Sequence, residues 1–270
     1  MAHEEVTVSE VVELREVCVE AAKRGGAVLR ERWSMKRTIE LKGGIDLVTD
    51  ADRASEAAIL EVLRSRLPGV AILAEESGAS GDASGALRFF VDPLDGTTNY
   101  AHGLPHFAVN IAVADRSGLA ASATYDPLRD ELFFAARGEG ARLGDVRLRH
   151  SDRAELAGSL LVTGFPYDIH QHHEYPLRLF GAFLRKARAV RRFGSAALDL
   201  AYVAAGRFDG FWEQRLKPWD VAAGILIARE AGALVTDMGG GDGMLDSGDI
   251  VAATPALLAP MLDVIGSVAR

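Results

Sequence analysis

The spacing of apolar positions changes along the chain, and the change divides it. Across residues 7–33, Val8, Val11, Val12, Leu14, Val17, Val19 and Ala22 recur at helical spacing between charges, which predicts a long amphipathic helix whose role is packing. Residues 36–41 read as a returning strand, Lys42-Gly43-Gly44 as a flexible loop, and Leu47-Val48-Thr49 as a short apolar run. A second helix is predicted over 51–66, with Ala54, Ala57, Ile59, Leu60, Val62 and Leu63 facing the core and Leu67-Pro68-Gly69 ending it. Residues 70–74 and 87–91 are short buried strands, separated by a Gly/Ala/Ser-rich loop at 78–85 that reads as mobile. After Tyr100 consecutive strands at 107–114, 119–125, 131–136 and 141–148 are divided by turn signals, an antiparallel meander. A second half begins near Ser151. There strands at 160–163, 209–212, 233–236 and 250–253 alternate with helices at 175–186, 197–205, from Val221 and from Pro255, and residues 190–193 lead into the second of these helices. No internal repeat is visible.

At 270 residues the chain can bury a large core as one domain or as two closely packed halves. No apolar run of about 18 residues free of charge suggests a membrane span. The acidic start MAHEEVTVSE is unlike a secretion signal, so a cytoplasmic protein is expected. A net charge of −8, without a basic stripe, argues against nucleic acid as a partner. The cluster Arg188-Ala189-Val190-Arg191-Arg192 reads as a solvated face. Cys18, the sole cysteine, cannot form an internal disulfide and falls in a helix, where a small buried residue is expected.

The chemistry concentrates in residues 89–100, FFVDPLDGTTNY. The apolar run stops at Asp92-Pro93, because proline lacks the ladder donor and restricts the residue before it. Asp92 therefore sits at the carboxyl end of a strand, where open α/β sheets bind ligands. Two carboxylates three residues apart with a carbonyl between them can gather hard divalent cations. An Asp-Pro/Asp-Gly turn explains the aspartates but not Thr97, Thr98 and Asn99 behind them. Elsewhere each acid alone has an ordinary explanation. Thr49, Asp50 and Asp52 suit a helix cap, Glu75 and Glu76 a solvated loop, and Asp220 an N-cap after Pro218. Gly194 and Ser195 open a helix, where they serve either as a cap or as amides and a hydroxyl for a phosphate or diol. His170, His172 and His173 read as water-facing. Yet Asp52, Glu75, Asp92, Asp95 and Asp220 all stand where an apolar element meets a loop or helix entrance. If they converge, their repulsion requires bound cations, and an oxygen-only donor set points to Mg²⁺ or its equivalent.

At these residues the sequence resembles the inositol monophosphatase family of Mg²⁺-dependent, Li⁺-sensitive phosphatases. DPLDGTTNY at 92–100 and WDVAAGILIAREAGA at 219–233 resemble the two family signatures, and DLVTDAD at 46–52 and AEES at 74–77 fall in the expected order. The resemblance covers nearly the whole chain. It implies an α/β layered sandwich of alternating helix and sheet layers, a sugar-phosphatase-like fold. One unit spans 1–270, with a metal-binding half (1–150) and a substrate half (151–270). It further implies that Glu75, Asp92 and the Leu94 carbonyl bind one Mg²⁺, that Asp92, Asp95 and Asp220 bind a second, and that a third ion touches Glu75. Thr97, hydrogen-bonded to Asp52, would orient and help deprotonate the attacking water, with Glu76 supporting it. The amides of Gly96 and Thr97 would hold phosphate, and Lys42 would stand on the phosphate side. Gly194, Ser195, Ala196 and Glu213, with Asp220, would face the polyol. A homodimer is implied as well.

The activity so implied is hydrolysis of a myo-inositol monophosphate. Related enzymes cleave fructose 1,6-bisphosphate, histidinol phosphate or adenosine 3′,5′-bisphosphate, but Glu213 favours a polyol, since a carboxylate accepts from two hydroxyls and repels a second phosphate. A non-catalytic binding or regulatory protein on the same fold is the alternative from another class.

Overall fold

The N-terminal helix forms because its first amides are satisfied and one face is apolar. The structure, a computed structural model, describes residues 7–35, 39–43 and 46–269, the side chains of 41–43 and 46 excepted. Helix α1 (Val8–Arg32) opens at Thr7, whose amide donates to the Glu10 carboxylate at 2.8 Å while Glu10 N returns a 3.4 Å bond to the Thr7 hydroxyl. It buries Val11, Leu14, Val17, Cys18, Ala21, Ala22 and Leu29, whereas Val8 remains exposed. A hairpin of β1 (Ile39–Gly43) and β2 (Asp46–Thr49) leads into α2 (Asp50–Arg66), which lies along α1. The predicted strand start at 36–38 and the Lys42 side chain lie outside the described residues.

Both helices cover one face of an eight-stranded sheet. It is built from β3 (Ala71–Ala74), β4 (Gly78–Ser80), β5 (Arg88–Asp95), β6 (Ala108–Asp115), β7 (Gly118–Asp126), β8 (Glu131–Ala136), β9 (Gly140–Leu143) and β10 (Val146–Arg147), in the order β10-β9-β8-β7-β6-β5-β3-β4. Only β3 and β5 run parallel, so the expected meander is present. Three local expectations change. Residues 78–80 are not free loop but an edge strand paired with β3. The run 141–148 folds back on itself as β9 and β10. And β5 does not stop at Asp92-Pro93: it continues to Asp95, with the register against β6 shifting between Asp92 and Asp95. A proline is tolerated there because the bulged residues give up their ladder bonds.

A five-stranded sheet forms the second half, ordered β12 (Ala189–Arg191), β11 (Leu160–Thr163), β13 (Gly210–Glu213), β15 (Ile250–Ala253), β14 (Leu234–Thr236). Alternation along its strands sorts two cores. Val162, Phe211 and Ala252 face α5 (Ala196–Ala204) and α6 (Pro218–Glu230), while Leu161, Trp212 and Val251 face α4 (Glu174–Leu184) and α8 (Pro255–Gly266). The short helix α3 (Thr97–Ala101) follows β5, and α7 (Met244–Ser247), absent from the sequence expectation, precedes β15. Helices α5 and α6 also pack on the first sheet, through Phe133, Ala135 and, for α6, Phe90 and Ala112. The layers therefore run helix, sheet, helix, sheet, helix, the predicted sandwich. Among the described residues no helix is long and apolar enough to cross a membrane.

Helix α1 sits close enough to the first sheet that a side chain at Gly26 has no room: a Cβ there would lie 2.4 Å from the Tyr125 ring. Gly26→Ala gains about 1 kcal/mol of helix propensity, but overpacking costs typically about 1–3 kcal/mol. The variant should be destabilised in urea unfolding. A stabilised variant would show that the α1–sheet spacing is looser than described.

Candidate active site

The bulge that ends β5 aims its acids. Asp92 Oδ1 accepts the Leu94 amide at 2.9 Å, and the intervening Pro93 carbonyl is held by the buried Ser55 hydroxyl of α2, also at 2.9 Å. Asp95 reaches across to the second half: its Oδ2 accepts the Ala197 amide at 2.9 Å and the Ser195 hydroxyl, both at the start of α5. Asp220 stands in the first turn of α6 with Oδ2 on the Lys217 amide at 2.7 Å. Asp52 is the equivalent residue of α2, its Oδ2 taking the Thr49 amide at 2.8 Å and the Thr49 hydroxyl at 2.5 Å. Its Oδ1 accepts Thr97 Oγ1 at 3.0 Å, and Thr97 Oγ1 lies 2.9 Å from the Leu94 carbonyl. The capping reading of Asp52 is thus correct, whereas Asp220 is not itself the N-cap: Lys217 holds that place, and Asp220, three residues on, caps its amide. For Asp52 capping takes one oxygen and Thr97 the other.

These residues border a cavity of about 510 Å³. Glu75, Asp92, Leu94, Asp95, Gly96, Thr97, Gly194, Ser195, Ala196, Glu213 and Asp220, all singled out from sequence, line it together. Asp52 is fully buried behind Thr97. Glu76 lies off the wall, its amide donating to the buried Glu56 carboxylate at 2.8 Å, although its charge reaches Asp52. The cavity has further walls that sequence reasoning missed. Phe165, Tyr167 and Ile169 form one side, Trp219 and Lys217 another, and Arg192, read as part of a solvated run, also faces it. Glu213 ends β13 directly against Gly164, where a Cβ would lie 2.1 Å from the carboxylate and would displace it. His170, His172 and His173 face water as expected. Cys18 is fully buried, which pushes its thiol up.

Electrostatics show what the cavity demands. Burial, then the charges of Glu75, Asp95 and Asp220, hold the Asp92 carboxyl well above its ordinary range, and Asp220 is raised likewise by burial and by Asp95 and Glu75. Burial lifts Asp95 to about 6, against the bonds from α5. Asp52 is pushed to about 7 by burial, with Glu75 and Glu76 adding to it and the Thr49 bonds opposing it. Glu213 reaches about 8, burial outweighing the nearby Arg192 charge. Asp199, on α5, is buried with neither carboxyl oxygen hydrogen-bonded among the described residues, and burial raises it too. Among the described residues no three His, Cys, Asp or Glu side chains are drawn together as a ready-made metal shell. The acids nevertheless face one space, repel one another and offer only oxygen. That donor set fits a hard divalent cation, which would relieve the repulsion.

Comparison with known proteins agrees with this arrangement. The sequence model described as inositol monophosphatase family matches residues 10–265. A curated relative from Pasteurella multocida named Nus factor SuhB is 44% identical over 251 residues, covering 92% of this chain and 94% of the relative. The crystal structure of the extragenic suppressor protein suhB from Bartonella henselae superposes with a TM-score of 0.91 at 41% identity, covering 94% of this chain and 99% of that one. The inositol monophosphatase from Anabaena (Nostoc) sp. PCC 7120 gives a TM-score of 0.88 at 38% identity, with 96% and 97% covered.

The raised acids fix a pH dependence. Asp52 and Glu213 ionise near 3.8 and 4.5 when unperturbed and near 7 and 8 in the fold, so between about pH 4 and 8 the folded chain holds protons that the unfolded chain has lost. These acids make stability fall as pH rises through that window, and together they outweigh His106, which burial holds down to about 4 and which acts the other way below about pH 6.5. In EDTA the Tm should be lower at pH 8 than at pH 5, and Mg²⁺ should raise it more at pH 8. A Tm that climbs between these values in EDTA would mean that cationic side chains already neutralise the acids.

Proposed function

We propose a catalytic role from one premise: the chain belongs to the inositol monophosphatase family. It is a Mg²⁺-dependent phosphomonoesterase that hydrolyses myo-inositol monophosphates to inositol and phosphate. The observation that carries this is the buried Thr97–Asp52 pair, 3.0 Å apart, opening onto an acid-lined cavity. A binding protein would need the acids but not a proton relay at their side.

Glu75, Asp92, the Leu94 carbonyl, Asp95 and Asp220 would hold two or three Mg²⁺. Bound there, the ions supply positive charge to the phosphate and the leaving oxygen and make water easier to deprotonate. The Thr97 hydroxyl has one proton and two acceptors, Asp52 Oδ1 and the Leu94 carbonyl, of which an ionised Asp52 is the stronger. With its proton turned to Asp52, Thr97 Oγ1 offers a lone pair to the attacking water, and the water's proton passes through Thr97 towards Asp52. Glu76 adds charge that keeps this proton acceptor basic. The water oxygen forms its bond to phosphorus as the ester oxygen leaves with the electron pair and takes up a proton. The amides of Gly96 and Thr97 hold the phosphate, while Lys42 remains an assignment from resemblance.

Polyol recognition falls to Glu213 and the Gly194-Ser195-Ala196 turn. Ser195 already donates to Asp95, so towards substrate it acts as an acceptor. The division of labour follows the chain: 1–150 supplies most metal acids, and 151–270 supplies Asp220 and the substrate contacts. A cytoplasmic homodimer is the assembly this reading carries. The name Nus factor borne by relatives favours a regulatory role as a second reading, and turnover on a substrate panel separates the two.

Phosphate release from inositol 1-phosphate should require Mg²⁺ and vanish with EDTA. Thr97→Ala should lower kcat by about 10²-fold with KM much less changed. Full turnover in EDTA would overturn the mechanism, and an unchanged kcat would remove Thr97 from it. Glu213→Gln should cost about 1–3 kcal/mol in kcat/KM on inositol phosphates. On p-nitrophenyl phosphate at saturating Mg²⁺ it should cost little. Equal losses would assign Glu213 to the metal acids or the fold.

A further inference from the structure

The acids come from two halves of the chain, and their relative placement needs a fastener. Asp92 lies on β5 of the first sheet at the start of its bulge, while Asp220 rides on α6, which packs on that sheet through small apolar residues such as Ala222 and Ala223 against Phe90 and Ala112. Apolar contact is non-directional, so it leaves the helix free to slide and roll. Hydrogen bonds do not.

We propose that Asn110 is a positioning residue that locks Asp220 against Asp92, with the Thr124 hydroxyl satisfying and holding its amide oxygen. Asp92, Asn110 and Thr124 are successive partners across β5, β6 and β7, so their side chains share one face of the sheet. Asn110 Nδ2 donates to the carbonyls of Trp219 and Asp220 at 2.7 and 3.0 Å. Both amide protons are then used, on the residues that carry the last acid. The fully buried Thr124 hydroxyl donates to Asn110 Oδ1 at 2.6 Å, and a flipped amide would turn that oxygen on the Trp219 and Asp220 carbonyls, acceptor to acceptor. Ser122, also buried, adds a 3.2 Å bond to the Ala223 carbonyl one turn on. Because a carbonyl has two lone pairs, these bonds add to the helical ones rather than replace them. The row thus converts the register of the sheet into a distance between two acids.

The proposal rests on the reading that Asp92 and Asp220 hold divalent cations, and Mn²⁺ alone, followed by electron paramagnetic resonance of the free ion, tests both. Wild-type protein that binds no Mn²⁺ would overturn the metal reading itself. Given binding, the isosteric Thr124→Val should weaken Mn²⁺ affinity about tenfold, as loss of a group that orients a ligand does. Thr124→Ser should stay within twofold of wild type. Asn110→Leu should weaken binding at least as much as Thr124→Val. Thr254→Val, which removes a buried hydroxyl bond to the Arg153 carbonyl far from the cavity, should lower the metal-free Tm without changing Mn²⁺ affinity. In an Asp220→Ala background Thr124→Val should have no further effect. Wild-type affinity in Thr124→Val, or an equal further loss without Asp220, would overturn the positioning role.

Discussion

Like charge confined in a small, partly dry space is the constraint on which the rest of the structure depends. Glu75, Asp92, Asp95 and Asp220 border one cavity, and burial followed by the charges of the neighbouring acids raises the affinity of Asp92 and Asp220 for protons. Apolar packing does not direct a carboxylate, so the three aspartates are tethered by directional bonds: Asp92 to its own turn, Asp95 to the start of α5, Asp220 to the start of α6. The tethers hold the acids apart from one another and facing one space. They also join the halves, since Asp95 belongs to the first sheet and its donors to the second half. Asn99 repeats the pattern, donating at 2.8 Å to the carbonyls of both His106 and Phe193.

The same tethers explain why bland and functional readings of the sequence coexist. Asp52 and Asp220 look like caps because they are caps: each satisfies an amide that its helix would otherwise leave open. An aspartate has two oxygens, and in Asp52 the second one meets Thr97. A helix entrance is therefore an economical place for a working carboxylate, since folding fixes its rotamer. Context along the chain distinguishes such residues from ordinary caps only when several of them fall near strand ends, as the acids at 52, 75, 92, 95 and 220 do.

What was legible in the sequence was what local physics determines. The meander of β6 to β8 follows from alternation and Gly/Asp turns, and the acids of the cavity follow from strand ends. The edge strand β4 was hidden because Gly78-Ala79-Ser80 has no strand propensity of its own and is held by pairing with β3. Pro93 looked like a stop because a bulge is a property of two strands, not one. Arg192 looked solvated because a basic run carries no sign of the cavity beside it, and Asn110 gave no signal because the two carbonyls it holds lie more than 100 residues away. Both misses are non-local contacts.

The central helix layer shows how far the protein itself can offset its charge. Helix α6 is buried on nearly all sides, and its small residues let its neighbours approach: a Cβ on Gly224 would fall 2.5 Å from Leu200 of α5, and Ala222 and Ala223 pack against Phe90 and Ala112 of the first sheet. Close approach brings the N-terminal ends of α5 and α6 to the carboxyl end of β5, so two helix dipoles present their positive ends and free amides to the acids. This contribution is real but small, typically about 0.3–1 kcal/mol per charge and at most about 2 kcal/mol. The Asp92 and Asp220 carboxyls remain well above their ordinary range despite it. The fold thus brings the acids together more tightly than its own amides can neutralise, and the remaining negative charge is what divalent cations would balance, their own excess positive charge being left for a phosphate dianion.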